Sequence, residues 1–244
     1  MTMDNVNRRR NLGFFFDQSV ARLPDKVAII DLFGGRERCA TYRQLDERMN
    51  GVARMLARLG VAPGERVAML IGNRTEFIEF FFGAMRAGAI PLPLNTRLAA
   101  GTLEHIIVEA ACALALIDPS SHRDALALAQ RLPLRQKLLL DERREGFLSF
   151  EAEMAKPAVP VDPPAIADDA QAFQPYTSGS TGRPKGAIMT HHGMLWYRLQ
   201  PALLAFRRER SRARCAPALP QERVARHGEA DALCRRLVGA HAGL

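Results

Sequence analysis

Apolar residues between positions 42 and 59 recur at steps of three and four, which is the period of one face of an α-helix. The positions that share this spacing are Leu45, Met49, Val52, Ala53, Leu56 and Leu59. Thr41 precedes the first of them as a suitable N-cap, and Gly60 follows the last as a stop signal. The pattern therefore predicts an amphipathic helix over residues 42–59.

The pattern then alternates between short apolar runs and helical periods. The short runs predict strands at Val67–Ile71, which lies between Gly64 and Gly72, and at Ala89–Leu94, Ala113–Ile117 and Leu138–Leu140. The helical periods predict helices from Asn73, with Glu76 as its capping partner, to Gly88, and from Thr102 to Ala110. Strands that alternate with helices at such short spacing favour an α/β fold in which helices cover a parallel sheet.

Composition places the chain among ordinary globular proteins. Its 244 residues are 48% hydrophobic and 25% charged, which excludes a wholly disordered or fibrous chain. The longest stretch without a charged residue, Ala170–Gly182, is shorter than the about 18 apolar residues that a membrane helix needs. The apolar run after Arg8–Arg10 is too short for a secretory signal. We therefore expect a cytoplasmic protein without a transmembrane segment.

The cysteines do not suggest a metal site or a disulfide framework. Cys39, Cys112, Cys215 and Cys234 lie far apart, with no CxxC pair and no histidine at metal-ligand spacing. We expect them to be bystanders in the function.

The composition changes near residue 200. Residues 201–244 hold nine basic and four acidic residues, and from Arg207 to Leu244 there is no Phe, Trp, Tyr or Lys. Three interpretations of this basic tail stay open: a disordered extension, a nucleic-acid-binding arm, and a segment translated out of frame. Because nucleic-acid arms usually interleave aromatic residues or glycines with basic ones, we expect no nucleic-acid partner.

The order of the elements predicts three regions. Residues 10–160 would form a first α/β subdomain, residues 161–200 the start of a second subdomain, and residues 201–244 the basic tail. Lys156–Pro164 contains four prolines in nine residues, which is typical of a linker.

Candidate chemistry concentrates in residues 176–186, which have the sequence YTSGSTGRPKG and are hereafter the glycine-rich segment. Gly179, Gly182 and Gly186 permit close approach of the backbone and positive φ angles. A Walker A loop ends in Gly-Lys-Ser/Thr, whereas here a proline precedes Lys185 and a glycine follows it. The segment therefore indicates a different phosphate-binding chemistry.

The side chains of the glycine-rich segment suit a polyphosphate. Backbone N–H groups and hydroxyls can surround phosphate oxygens, and Lys185 adds a mobile cation. The hydroxyls belong to Thr177, Ser178, Ser180 and Thr181. We expect a loop after a strand that ends near Tyr176, followed by a hairpin or strand through Ala187–Met189.

This segment resembles the adenylate-forming superfamily, which comprises acyl-CoA synthetases, related CoA ligases and the adenylation domains of peptide synthetases. The loop of that superfamily is commonly written YTSG-[ST]-TG-x-PKG, and Tyr176–Gly186 matches it throughout. Thr41–Tyr42, Gly64–Ala68 and Gly88–Asn95 are similar to its first α/β subdomain. The resemblance covers about residues 10 to 200.

The resemblance implies a two-step reaction. A carboxylate attacks the α-phosphate of ATP with Mg²⁺ to form an acyl-adenylate and pyrophosphate, and the thiol of CoA then displaces AMP. ATP, Mg²⁺ and CoA are the implied cofactors, and the implied partner is a small-molecule carboxylic acid.

The resemblance also carries over a set of cofactor-binding residues: Thr177, Ser178, Gly179, Ser180, Thr181, Gly182 and Lys185. They would hold the β- and γ-phosphates and stabilise charge on the leaving pyrophosphate. None of them is assigned a catalytic or metal-ligating role. His191 and His192 follow the segment at an expected helix start, where we expect surface histidines, with an approach of His191 to the nucleotide as the alternative.

In the superfamily, the acyl pocket, the adenine-binding segment, the ribose-binding Asp and a mobile C-terminal domain follow this loop, and none of their motifs is found in the 244 residues. We therefore expect a truncated, inactive N-terminal fragment of an acyl-CoA ligase. The alternative is a non-enzymatic nucleotide- or partner-binding module. A fatty acid is the first expectation for the substrate, and an aryl or carnitine-like acid the second. The sequence does not predict an oligomeric state.

Overall fold

The apolar pattern produces alternating helices and strands. The computed structural model describes residues 3–157, 162–167, 169–178 and 184–196. The helices are α1 (Met3–Arg10), α2 (Asp17–Arg22), α3 (Tyr42–Arg58), α4 (Thr75–Arg86), α5 (Ala100–Glu109), α6 (Ala125–Arg131) and α7 (Phe150–Met154). The strands are β1 (Val27–Asp31), β2 (Arg38–Thr41), β3 (Arg66–Leu70), β4 (Ile90–Pro93), β5 (Leu114–Ile117), β6 (Gln136–Leu139), β7 (Leu148–Ser149), β8 (Gln171–Phe173), β9 (Tyr176–Ser178), β10 (Pro184–Gly186) and β11 (Met189–Thr190). Residues 191–196 are also helical.

A five-stranded parallel sheet runs through the described part of the chain in the order β4-β3-β5-β6-β7. Strands β3 and β5 are apolar except for Arg66, as expected for strands that helices cover on both faces. On one face, α3, α4 and α7 bury a cluster that includes Leu56, Phe80 and Phe150. On the other face, α5 and α6 bury a cluster that includes Ile106 and Leu128. The predicted α/β fold with a helix-covered parallel sheet is confirmed.

Helix α3 begins where the sequence predicts. The hydroxyl of Thr41 accepts a hydrogen bond from the N–H of Gln44 at 3.3 Å, and the side chain of Gln44 accepts from the N–H of Thr41 at 2.9 Å. The two residues therefore close a capping box, which satisfies two N–H groups at the helix start. Leu45, Met49 and Leu56 are buried on the predicted face.

Helix α4 begins at Thr75 rather than at Asn73, so the predicted cap is wrong. Its N-cap residue is Arg74, whose side chain makes no capping hydrogen bond. The carboxylate of Asp31, at the end of β1, instead accepts from both the N–H and the hydroxyl of Thr75 at 2.9 Å. Glu76 accepts a hydrogen bond from Nε of Arg74. The cap comes from a residue 44 positions away, which a local pattern does not show.

Strand β4 contains two prolines and still lies in the sheet. It is the end strand of the described order, where a missing N–H on the outer side leaves no ladder bond unmade. On this outer side, the carbonyl of Pro91 accepts a hydrogen bond from the N–H of Gln174 at 3.1 Å. This bond attaches the segment before β9 to the edge of the sheet.

The described residues all belong to one compact unit. The basic tail lies outside the described residues, so its three interpretations stay predictions. The predicted linker, Lys156–Pro164, lies partly outside them, and the boundary at residue 160 also stays a prediction. None of the helices described here is long and apolar enough to span a bilayer.

Candidate functional site

The two arms of the glycine-rich segment form an antiparallel ladder of β9 and β10. Tyr176 lies opposite Gly186, and Thr177 lies opposite Lys185. Because successive side chains of a strand point to opposite faces, Thr177 and Lys185 share one face of the ladder. Both residues are exposed. The structure thus brings together two of the predicted phosphate ligands, a hydroxyl and a mobile cation.

The arms are placed differently from the prediction. The first strand begins at Tyr176 instead of ending there, and the return strand is β10 rather than Ala187–Met189. The residues that follow form β11, which pairs antiparallel with β8. The difference arises because the ladder extends into the motif itself, where local apolar patterning is weak.

The remaining predicted ligands are only partly covered by the structure. Ser178 contributes its backbone to β9. Gly179, Ser180, Thr181 and Gly182 lie outside the described residues, and their assignment to the nucleotide stays a prediction.

The base of the ladder is fixed at the amino end of β3, an inner strand of the sheet. The side chain of Gln174 accepts a hydrogen bond from Nε of Arg66 at 2.7 Å and donates to the hydroxyl of Tyr176 at 3.3 Å. Arg66 is the first residue of β3. The ring of Tyr176 packs against the cluster under α5 and α6, and this burial raises its pKa. One face of the ladder is therefore anchored to the sheet.

Sequence reasoning missed Arg66 and Gln174 as parts of this site. Gln174 is only 8% exposed, and a buried amide normally requires hydrogen-bond partners. A polar side chain just before the motif, next to the apolar Phe173, is the local signal for such a partner. The partner itself, Arg66, lies 108 positions away in the chain, so a local pattern does not identify it.

His191 is buried, contrary to the surface position expected from the sequence. It is 2% exposed, and its Nδ1 accepts a hydrogen bond from the N–H of Leu12 at 3.0 Å. Burial lowers its pKa to about 4, so the ring is neutral at physiological pH. His192 is exposed, as expected. His191 therefore joins the N-terminal segment to the helix at residues 191–196, which is a structural contact.

Ion pairs fill the opposite, carboxyl edge of the sheet. In doubly wound sheets ligands usually bind at this edge, where the strand order reverses, here between β3 and β5. Arg74 lies there with a side chain 3% exposed, pairs with Glu76 at 2.7 Å and with Asp141 at 2.5 Å, and stacks on Phe33. Burial opposes ionisation of Glu76, but hydrogen bonds from Arg74 and Arg38 outweigh it and lower the pKa to about 2. The guanidinium of Arg74 is therefore already paired with carboxylates of this chain.

The chain is similar in sequence to known proteins. Residues 16–222 match the sequence model of the AMP-binding enzyme family. Long-chain-fatty-acid–CoA ligase FadD13 of Mycobacterium tuberculosis is 32% identical over 189 residues, which are 76% of this chain and 36% of the ligase. Feruloyl-CoA synthase of Amycolatopsis is 34% identical over 160 residues, which are 64% of this chain and 29% of the synthase.

A solved structure shares the fold. The fatty acyl CoA synthetase of Mycobacterium tuberculosis superposes with a TM-score of 0.65 at 26% identity, over 76% of this chain and 35% of the synthetase. The chain therefore spans about a third of the length of these three relatives.

Proposed function

Because the chain belongs to the AMP-binding enzyme family, we propose that its glycine-rich segment binds the β- and γ-phosphates of ATP in the activation of a carboxylic acid to an acyl-adenylate and then an acyl-CoA. The observation that carries the proposal is the exposed pair of Thr177 and Lys185 on one face of the ladder. Relatives that are CoA ligases for acyl and aryl acids support the same reaction class.

The proposed roles are binding and electrostatic. The ammonium of Lys185 balances charge on the terminal phosphates, and the hydroxyl of Thr177 donates to a phosphate oxygen. Ser178, Ser180 and Thr181 add hydroxyls, and Gly179 and Gly182 let backbone N–H groups approach. When bound, ATP supplies the phosphorus that the carboxylate attacks. These side chains hold the leaving pyrophosphate in place and need not transfer a proton.

The donor set of the ladder fits phosphate oxygens better than it fits a bare metal ion. Within the described ranges, no three His, Cys, Asp or Glu side chains group as metal ligands would. A hydroxyl and an ammonium are phosphate ligands, whereas Mg²⁺ prefers carboxylates, waters and phosphate oxygens. We therefore propose that Mg²⁺ arrives with the nucleotide.

The substrate we propose is a fatty acid. The fatty-acid ligase and the fatty acyl CoA synthetase of Mycobacterium tuberculosis support this choice. An aryl acid is the alternative, which the similarity to a feruloyl-CoA synthase favours. ATP–pyrophosphate exchange in the intact protein, with palmitate and ferulate in parallel, separates the two.

We propose that the 244 residues by themselves bind nucleotide without completing turnover. The motifs that would hold adenine, ribose and the acyl chain are not found in them. Binding would then rest on the phosphates alone, which also describes the alternative of a non-enzymatic nucleotide-binding module. Thioester formation from ATP, CoA and palmitate by this chain would contradict the proposal.

The compartment we propose is the cytoplasm. Cys39 and Cys112 are both free thiols, and Cys39 is exposed. Exposed free thiols are common where glutathione and thioredoxin keep cysteines reduced.

The test of phosphate binding uses the 244-residue chain and titrates Mg²⁺-ATP by calorimetry. Lys185→Ala should weaken binding by about 1–3 kcal/mol, because it removes a charge-assisted contact, and Thr177→Ala should weaken it by about 1 kcal/mol. Lys26→Ala is the matched control, since Lys26 is exposed and lies outside the segment. Equal affinities of the Lys185→Ala and Lys26→Ala variants would reject the proposed site.

A further inference from the structure

We propose that Arg66 and Gln174 are positioning residues. They fix the register of the ladder of β9 and β10 and determine which face of the ladder is turned towards the sheet. The proposal rests on the proposed function, because it concerns how Thr177 and Lys185 are presented to phosphate. Neither Arg66 nor Gln174 belongs to the motif that identifies the family. Both lie on the anchored side of the ladder, at the amino end of β3.

Gln174 uses both ends of its amide. The amide oxygen accepts hydrogen bonds from Nε of Arg66 at 2.7 Å and from Nε2 of Gln171 at 3.0 Å. The amide nitrogen donates to the hydroxyl of Tyr176 at 3.3 Å. The backbone N–H of the same residue donates to the carbonyl of Pro91 at 3.1 Å. Gln174 therefore connects the first residue of the ladder to two strands of the sheet, β3 and β4.

Gly186 shows that the amide lies against the ladder. A Cβ atom at position 186 would collide with Nε2 of Gln174 and would lie 3.1 Å from the ring of Tyr176. Gly186 pairs with Tyr176 across the ladder. Only a residue without a side chain leaves room for the amide at this place. The glycine that ends the motif is thus explained by packing, not by a positive φ angle.

The contact of Gln174 with one face of the ladder also determines which side chains lie on the other face. Side chains alternate along each strand, so a register slip of one residue would turn Thr177 or Lys185 towards Gln174 and the sheet. The Arg66–Gln174–Tyr176 chain, which we call the relay, opposes such a slip because it holds Tyr176 on the inner side. A guanidinium donor makes the first link charge-assisted. β3 is an inner strand that is packed on both faces, so the relay starts from a rigid element.

The first experiment measures hydrogen exchange in the 244-residue chain. The N–H of Ala187 donates to the carbonyl of Pro175 at 2.9 Å and reports the ladder, whereas the N–H of Leu94, bonded to Met69 at 3.0 Å, reports the sheet. Gln174→Ala should speed exchange at Ala187 about tenfold or more and leave Leu94 unchanged. Gln130→Ala, at an exposed glutamine, is the control and should change neither.

A conservative replacement separates the relay from simple packing. In Gln174→Glu, the carboxylate still accepts from Arg66, and the hydroxyl of Tyr176 can donate to it. Protection at Ala187 should therefore stay close to wild type. Exchange as fast as in Gln174→Ala, or a parallel loss of protection at Leu94 in both variants, would overturn the proposal.

The second experiment is a double-mutant cycle on Mg²⁺-ATP affinity. Gln174→Ala should weaken binding about tenfold, and Gly186→Ala should weaken it at least as much, because its methyl group collides with the amide. The double variant should bind no worse than Gly186→Ala alone, since the collision is then removed. Additive losses would contradict the contact, and full affinity in Gln174→Ala would contradict the positioning role.

The two experiments fail in different ways. If the wild-type chain does not bind Mg²⁺-ATP, the proposed function is rejected while hydrogen exchange still decides whether the relay holds the ladder. If the chain binds but exchange at Ala187 does not respond to Gln174→Ala, the relay is rejected and phosphate binding stands.

Discussion

At the scale of single residues, buried polar side chains hold the N-terminal segment on the core. Arg86 is 2% exposed and donates to the carbonyl of Gly13 at 2.8 Å and to Oδ1 of Asn50 at 2.7 Å. Asn11 donates to the carbonyl of Met85 at 2.7 Å. Nδ1 of His191 accepts a hydrogen bond from the N–H of Leu12, the residue that follows Asn11. A buried polar group without such partners would cost free energy, so these contacts specify one position for the segment.

The neutral state of His191 predicts a pH dependence of stability. Its pKa is about 4 in the folded chain and about 6.5 when unfolded, so the unfolded chain binds more protons between these values. Stability from this residue is present above pH 6.5 and falls with acidification, by up to about 3 kcal/mol at pH 4. His191→Gln should remove this part of the slope in urea unfolding at pH 7, 6, 5 and 4. His192→Gln, at the exposed neighbour, should follow wild type, and parallel curves for all three proteins would contradict the prediction.

At the scale of elements, α3 and α4 approach each other closely at one glycine. A Cβ atom on Gly83 would lie 2.5 Å from Cβ of Val52 and 2.8 Å from the carbonyl oxygen of Met49. Such distances are shorter than van der Waals contact, so the helix pair needs glycine at this position. Other buried residues of α4 that belong to the same cluster as Val52 are Phe80 and Ala84.

Two glycine-to-alanine changes therefore have opposite expected effects. Gly83→Ala should destabilise the fold by about 1–3 kcal/mol, because the backbones of α3 and α4 must separate. Gly101→Ala lies in α5 with open space around the added methyl group and should stabilise by up to about 1 kcal/mol. Chemical denaturation of both variants tests the pair. A neutral Gly83→Ala would show that the helices move apart without cost.

At the scale of the whole molecule, the β1–β2 pair leaves an apolar edge in solvent. In the described residues, β1 pairs with β2 alone, and Val27, Ile30 and Leu32 are 45%, 62% and 69% exposed. An apolar edge strand can pair with the same edge of another molecule. The net charge of +8 opposes association, and salt screens that repulsion.

We therefore predict salt-dependent aggregation through this edge. Ile30→Lys should reduce light scattering at high ionic strength, because it places a charge on the open strand. Its effect on the free energy of unfolding should stay within about 0.5 kcal/mol, since the side chain is exposed. Val108→Lys, at an exposed position of α5 away from the edge, is the control. Equal scattering from both variants would assign association to another surface.

Much of the fold is predictable from local sequence for a physical reason. An amphipathic helix or a buried strand must repeat its apolar residues with its own period. The start of α3 and the positions of β3, β4 and β5 can therefore be predicted from the sequence. The capping box of Thr41 and Gln44 is also local. The glycine-rich segment is recognisable because its small residues, hydroxyls and cation lie close together in the chain.

Other features depend on residues that meet only when the chain is folded. The sheet order, with β5 beside β3, depends on long-range pairing, which periodicity does not encode. Asp31 caps α4 from 44 positions away, and Arg66 supports Gln174 from 108. His191 is buried and accepts a hydrogen bond from the N–H of Leu12, 179 positions away, although its neighbour His192 is exposed. Sequence alone determined that helices alternate with strands and where the glycine-rich segment lies, whereas tertiary packing decided the partners of the buried polar groups and the face on which Thr177 and Lys185 meet.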